Sequence, residues 1–305
     1  MIIAILGPGG VGGLLAGALD RAGTATIVVA RPWTAELIRD RGLRLSSVRL
    51  GDFVAHPPTV QRLSEPVDVL IVSSKATVLA AALERIAVEP RLVLPLLNGL
   101  DHLSLLRQRF DQAHTLVVAG AIRVEADRPE PGVIVHTSPF LRIDMACADQ
   151  GARKDMETLA RVLNDADIPT CVLDSEPQVI WGKLVRLNAL ACLTSAYDKQ
   201  LGEIRCTPQL RAELVRAIEE GSAVARAEGA DIEAASAIKE LEEAHATLGS
   251  SMQRDITAQR EPELDAIAGA VLRAAARHGI RCPTIERLTI MIADRAGVPA
   301  PVLPS

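Results

Sequence analysis

An α/β chain is what the sequence predicts, with a doubly wound, mostly parallel sheet first and an all-α half after it. Three observations predict it. Met1 to Ala22, MIIAILGPGGVGGLLAGALDRA, runs from a continuous apolar stretch into a glycine cluster and then directly into an apolar helical pattern. Short apolar runs alternate with helical patterns as far as residue 174. From Ser175 onward Ala, Leu, Glu and Arg recur at helical spacing with no further strand signal. The expected domains are therefore 1–174 and 175–305.

Met1 to Leu6 has the unbroken hydrophobicity of a parallel strand covered on both faces. Gly7, Gly9 and Gly12 follow with GxGxxG spacing, which serves a tight turn, close approach of backbone to a pyrophosphate, and tight helix–strand packing, in that order. Gly10 and Gly13 are expected to loosen the turn further. The helix that begins there aims unpaired N–H groups and the positive end of its dipole at the loop. Gly7, Gly9, Gly10, Val11 and Gly12 are thus candidate cofactor-binding residues of a Rossmann-type dinucleotide site, with a purely structural turn as the competing reading. The next strand, Thr26 to Ala30, ends in Arg31, where an NAD site usually places an acid for the ribose hydroxyl. A guanidinium fork suits a 2′-phosphate instead, so NADP(H) is the expected cofactor. Trp33 is placed to lie against adenine or against the sheet edge.

Further along, a helix is expected from Thr34 to Arg41, and one or two short strands from Leu43 to Val60, with Gly51 and Pro57-Pro58 as turns. Val67 to Val72 reads as a buried strand ending in Ser73, Ser74 and Lys75 before the helical pattern of Ala76 to Ile86. Ligands of open α/β sheets bind beyond the carboxyl ends of strands, which makes Lys75 a candidate for a phosphate or ribose. Leu92 to Leu97 has strand character weakened by Pro95, and it leads into Asn98-Gly99. That amide can donate and accept, as a nicotinamide, a ribose or a carbonyl substrate requires, although the dipeptide is also a common turn. Thr115–Ala119, Gly132–Thr137 and Phe140–Met145 are expected to continue the sheet, with Pro129 and Pro131 marking a loop, before a helix at Ala152–Asn164 and a strand at Pro169–Leu173. His136 lies on a strand with nothing nearby to mark it as a base. In the second half Ser175 and Gln178 form a capping pattern and Thr207-Pro208 starts a helix. Gly229 stops a helix before Asp231 opens the next, and Gly279 ends one that begins near Pro262.

Composition excludes several classes. A net charge of -5 with interspersed signs gives no basic face, and two Trp, one Tyr and three Phe leave little for base stacking, so a nucleic-acid partner is not expected. Apolar runs are broken by Arg, Asp or Gly well short of the roughly 20 residues a bilayer span needs, and no basic leader precedes the first strand, which points to a cytoplasmic chain with no membrane partner. The five cysteines are odd in number and widely spaced, as reduced core thiols would be. With no CxxC and six scattered histidines, no metal site is expected.

Within the first long helix of the second half, Trp181-Gly182-Lys183 sets an ammonium among Ile180, Leu184, Leu187 and Ala191. Partial desolvation there would suit a proton donor to a carbonyl oxygen as a hydride arrives. Ser250-Ser251-Met252 is followed by Asp255 and Glu263, and either acid is a candidate partner for Lys183.

Taken together, GPGGVGG, Arg31, Lys75, Asn98-Gly99, Pro131-Gly132, WGKL at Trp181 to Leu184, Leu193-Thr194, SSM at Ser250 to Met252, and Glu263 to Gly279 with His278-Gly279-Ile280 and Pro283 give the chain a specific likeness. It resembles the ketopantoate reductase (2-dehydropantoate 2-reductase) family of pantothenate biosynthesis over essentially its full length. The resemblance implies a Rossmann domain with a helical C-terminal domain and NADPH-dependent reduction of ketopantoate to pantoate by hydride transfer. It implies Lys183 as general acid, Asn98 and Ser251 on the substrate, and Glu263 holding Lys183 or the nicotinamide ribose. The chain departs from the family where asparagines usually follow the lysine at four and eight residues, positions held here by Leu187 and Ala191. Leu248 replaces a third asparagine and Leu97 the usual glutamine, while Asn188 lies about 100° around the helix from the expected face. Leu187 and Ala191 share the face of Lys183 and are expected to line the substrate site as an apolar wall. Two alternatives stay open: reduction of a less polar 2-oxo acid, and a non-enzymatic NADPH-binding sensor. The expected partner is a small 2-oxo acid, and assembly is left open, a homodimer included.

Overall fold

The computed structural model describes residues 1–111 and 113–302. Among them the strands run in the order β1 (Ile2–Leu6), β2 (Ala25–Val29), β3 (Leu43–Ser47), β4 (Gly51–Ala55), β5 (Thr59–Val60), β6 (Val69–Val72) and β7 (Leu92–Pro95). They continue as β8 (Leu116–Val117), β9 (Ala119–Arg123), β10 (Ala126–Glu130), β11 (Val133–His136), β12 (Arg142–Ala146) and β13 (Thr170–Val172). The chain forms two compact units, Met1–Leu97 with His102–Val179, and Asn98–Asp101 with everything from Ile180 on.

In the first unit a parallel sheet has the order β5-β2-β1-β6-β7-β8. The order reverses at β1, whose partners are β2 on one side and β6 on the other. In register, Leu6 faces both Val29 and Val72, so the residues that follow these three strands emerge on one edge. Such a reversal opens the crevice in which doubly wound sheets bind ligands.

Helix α1 (Gly10–Arg21) is buried along most of its length, and its glycines explain how. A Cβ on Gly10 would collide with the Ala126 carbonyl of β10, one on Gly13 with Ile134 of β11, and one on Gly17 with Leu45 of β3. Positions i, i+3 and i+7 share a helix face. Gly10 and Gly13 therefore do not loosen the turn; with Gly17 they flatten one side of α1 against a second sheet of order β10-β11-β3-β4.

The expectation that the sheet continues is corrected for β11 and β12, which lie in a second and a third sheet, and holds for β8, which pairs with β7 in the first sheet. β9 leaves it, passing so close to Pro95 that only Gly120 fits beside that carbonyl, and joins a third sheet of order β13-β12-β9. Pro129 lies in a strand rather than a loop. β10 is an edge strand whose register shifts between Asp127 and Glu130, and at an edge bulge the missing N–H breaks no ladder.

The helices after α1 are α2 (Pro32–Arg41), α3 (Leu79–Leu83), α4 (His102–Arg109), α5 (Arg153–Asp165), α6 (Glu176–Tyr197), α7 (Leu201–Cys206), α8 (Pro208–Ala227), α9 (Ala234–Glu243), α10 (Ser251–Thr257), α11 (Ala270–Arg277) and α12 (Pro283–Ala296). Gln178 donates its backbone N–H to Ser175 Oγ at 3.2 Å, as the capping pattern requires. Asp231 does not open a helix. Ile232 packs onto the helical core, which keeps the chain irregular as far as Glu233, the N-cap of α9. The core of the second unit gathers Trp181, Leu193, Ile218, Val271 and Leu288. No helix among the described residues is long and apolar enough to cross a membrane.

Only two cysteines fit the expectation of core thiols. Cys192 and Cys282 are buried, which pushes both thiols up to about 12, whereas Cys147 is half-buried and Cys171 and Cys206 are exposed. Cys171 sits on β13, an edge strand whose alternation turns it outward.

His136 belongs to the core, not to a ligand site. Its Nδ1 lies 2.8 Å from Ser47 Oγ and its Nε2 3.1 Å from Ser138 Oγ. Ser138 already donates to the Phe140 carbonyl, so it accepts from Nε2, and the ring is held as the neutral Nε2–H tautomer. Burial is the main cause that lowers its pKa. The unfolded chain binds a proton as pH falls through about 6.5, whereas the native ring binds one only at lower pH, so stability should decline as pH falls through that range and not rise. Urea midpoints at about pH 7.5 and about pH 5.5 should show a smaller decline for His136→Gln than for the unmutated chain. Equal declines would assign the pH sensitivity to other groups.

Candidate active site

Gly7, with φ +93°, makes the turn after β1. Its N–H donates to the Val29 carbonyl at 3.1 Å, and Ser73 Oγ donates to the Gly7 carbonyl at 2.9 Å. Gly12 brings α1 against that carbonyl, where any Cβ would collide. Gly9 is different, because nothing stands within 4 Å of the place a Cβ would take. It is also the N-cap of α1 and supplies no side-chain bond, so the first-turn N–H groups of Gly10, Val11 and Gly12 face the loop without a side-chain acceptor. Beside Gly7, Ser74 Oγ is buried with no hydrogen-bond partner. Open space, first-turn donors and an orphaned hydroxyl fit the pyrophosphate of a dinucleotide.

Arg31 follows β2, exposed and extended, as the N-cap of α2 with Pro32 at the first helical position. Trp33 is 60% exposed. Lys75 is exposed just beyond β6, where the chain is extended before a short 3₁₀ turn, Ala76–Val78.

In the helical unit three candidate residues form one hydrogen-bonded series. Lys183 Nζ donates to Asn98 Oδ1 at 2.8 Å, and Asn98 Nδ2 donates to Glu263 Oε2 at 3.1 Å. Lys183 is supplied by α6, Asn98 by the segment Asn98–Asp101, and Glu263 by the turn before a π-helical stretch, Asp265–Gly269. Such stretches recur at functional sites because they re-aim the residues beside them. Glu263 is 7% exposed. A carboxylate only accepts and an ammonium only donates, so the amide between them has a single satisfied orientation.

Gly99 does more than form a turn. It adopts φ +90°, and a Cβ there would collide with the Ala266 carbonyl of the π-helical stretch. The missing side chain lets Asn98 reach Glu263. Sequence reading saw only a turn former, because the tight neighbour is far along the chain.

The other candidates are placed less uniformly. Ser250 is structural, since its Oγ accepts from the Gln253 N–H at 3.0 Å to cap α10 and lies 2.8 Å from Thr194 Oγ1. Ser251 stands half-buried at the first position of α10. Leu187 is half-buried and packs on the helical core. Ala191 is 0% exposed, so the expectation that it lines the substrate site is corrected: its methyl is core and presents no surface to a ligand. Leu248 is core as well. Asn188 is fully buried, with Oδ1 3.5 Å from Cys192 Sγ and Nδ2 without a partner. Of the two acids, Asp255 pairs with Arg260 at 2.9 Å, whereas Glu263 reaches Lys183 through Asn98.

Residues 3–150 match the family described as ketopantoate reductase PanE/ApbA, and residues 177–296 match its C-terminal counterpart. The chain belongs to the ketopantoate reductase family. A relative named 2-dehydropantoate 2-reductase, from Halobacterium salinarum, is 29% identical over 311 residues, covering 97% of this chain and 100% of its own. The crystal structure of a PanE/ApbA family ketopantoate reductase from Ralstonia eutropha is 26% identical, with TM-score 0.85 over 97% of this chain and 99% of that one. D-Mandelate dehydrogenase, solved with NADH and anilino(oxo)acetate, shares the fold at TM-score 0.89 and 21% identity, covering 97% of this chain and 99% of its own.

Gly99→Ala tests whether Asn98 is held by backbone contact with the π-helical stretch. A strained φ together with a collision against backbone should cost on the order of 1–3 kcal/mol of stability, read from the urea midpoint. Turnover should fall by at least about tenfold, since a displacement near 1 Å at a reacting group can cost 10²-fold. An active, fully stable variant would show that the segment does not need this contact.

Proposed function

We propose that this chain reduces ketopantoate (2-dehydropantoate) to pantoate with NADPH, using Lys183 as the general acid. The observation that carries the reading is the Lys183–Asn98–Glu263 series, set in a chain of the ketopantoate reductase family. When bound, NADPH supplies the hydride. Gly9 and the first turn of α1 hold its pyrophosphate, and Arg31 the 2′-phosphate. Lys75 is assigned to a phosphate or ribose at the same edge.

On the protein's side the reaction needs a proton for the oxygen of the 2-oxo group. The Lys183 ammonium donates it, and Asn98 Oδ1 holds the ammonium in place through the transfer. Glu263 fixes the orientation of the Asn98 amide and, by the family resemblance, is assigned to the nicotinamide ribose as well. The Ser251 hydroxyl and Leu187 are assigned to the substrate, one as a hydrogen-bonding group and the other as an apolar contact. Family membership favours ketopantoate over a less polar 2-oxo acid and over a sensor without turnover. A cytoplasmic location and a homodimeric assembly are part of the same proposal, the latter read by light scattering.

Two measurements test the reading. Lys183→Ala should lose roughly 100-fold or more in kcat while binding NADPH normally, and near-normal turnover would mean that the proton comes from another group. NADPH should bind at least about tenfold more tightly than NADH, a difference of about 1.4 kcal/mol, and Arg31→Ala should erase most of it. Equal affinities in the unmutated chain would remove Arg31 from the 2′-phosphate.

A further inference from the structure

Arg273, on α11, bridges the two short segments that carry Asn98 and Glu263. Its Nη2 donates to Asp101 Oδ2 at 2.6 Å, three residues after Asn98. Its Nη1 donates to Asp265 Oδ1 at 2.6 Å, two residues after Glu263, and Nη2 also reaches the Asp265 backbone carbonyl at 3.0 Å and Oδ2 at 3.2 Å. One planar fork thus ties both segments. The Arg273 side chain is 21% exposed against 55% for Asp101 and 67% for Asp265, so the guanidinium is the shielded centre of the group. Room for it is built in. A Cβ on Gly269, one turn along, would come within 2.7 Å of Asp265 Oδ1 and 3.0 Å of Arg273 Nη1.

The segment needs such a tie. Asn98–Asp101 is only four residues long and belongs to the helical unit, while the residues on either side of it belong to the other unit. Gly99 brings its backbone against the Ala266 carbonyl, a close approach that does not by itself fix a distance along the helix. The Asp101–Arg273–Asp265 bridge supplies that distance.

We propose that Arg273 is a positioning residue: by fixing Asp101 to Asp265 it sets the separation of Asn98 from Glu263, and through Asn98 the direction of the Lys183 ammonium. It touches no reacting atom itself. Arg273 acts through two carboxylates that the reaction does not use, and a lysine in its place can hold one of them but not both. The proposal rests on the assignment of Lys183 and Asn98 to proton transfer.

The test compares Arg273→Ala, Arg273→Lys and Asp101→Asn with the unmutated protein. Turnover of ketopantoate by the unmutated protein is measured first, and its absence would fail the proposed function, not the positioning role. Given turnover, Arg273→Ala should lower kcat by at least about tenfold, with NADPH affinity unchanged within about twofold. Arg273→Lys should recover only part of the loss. Asp101→Asn, which changes a half-exposed residue and leaves the Arg273–Asp265 pair, should lower kcat in the same direction, and it serves if the arginine variants do not fold. Adding Asp101→Asn to Arg273→Ala should cost little more than Arg273→Ala alone, because both remove one bridge. A second readout does not depend on turnover: the side-chain NMR signals of Lys183 and Asn98 should shift in Asp101→Asn. Folded variants with unchanged kcat and unchanged Lys183 and Asn98 signals would overturn the proposal.

Discussion

An amide set between a buried anion and a cation has no choice of direction. Glu263 can only accept and Lys183 can only donate, so Asn98 must turn its NH₂ to one and its oxygen to the other. This removes the flip ambiguity that attends most asparagines. The Lys183 ammonium is thereby oriented by a neutral group, the Asn98 Oδ1. All three residues belong to the helical unit, so the series lies within one folded body.

Much of the first unit can be read from the order of residues because its determinants are local. An apolar run and the GxGxxG spacing lie within the first 12 residues and specify strand, turn and helix together. What could not be read are consequences of distant neighbours. Gly10, Gly13 and Gly17 look like excess turn glycines until β10, β11 and β3 are laid across α1. Pro129 looks like a loop residue until its strand proves to be an edge with a bulge.

The site divides the same way. Lys183 stands out as a cation in an apolar helical pattern, but its partner Asn98 is 85 residues away and Glu263 a further step, 165 residues from Asn98. No periodicity reports pairings of that range. Burial likewise escapes a pattern argument: Leu187 and Ala191 share a face with Lys183, yet only Leu187 keeps any exposure, because the helix is packed on more than one side. The π-helical stretch is invisible in sequence and is the feature that brings Gly99, Asp101, Asp265 and Glu263 into one neighbourhood.

The glycine stripe of α1 has a dynamic consequence. Glycine is a poor helix former, by about 1 kcal/mol per residue relative to alanine, and α1 contains four of them in its twelve residues. Such a helix is held by the sheets on either side of it more than by its own propensity. Local opening of β10 and β11 would therefore loosen the first turn of α1, and an anion held by that turn would oppose the opening. Slow backbone hydrogen exchange in an edge hairpin and tight retention of a phosphate would then be two expressions of one local equilibrium.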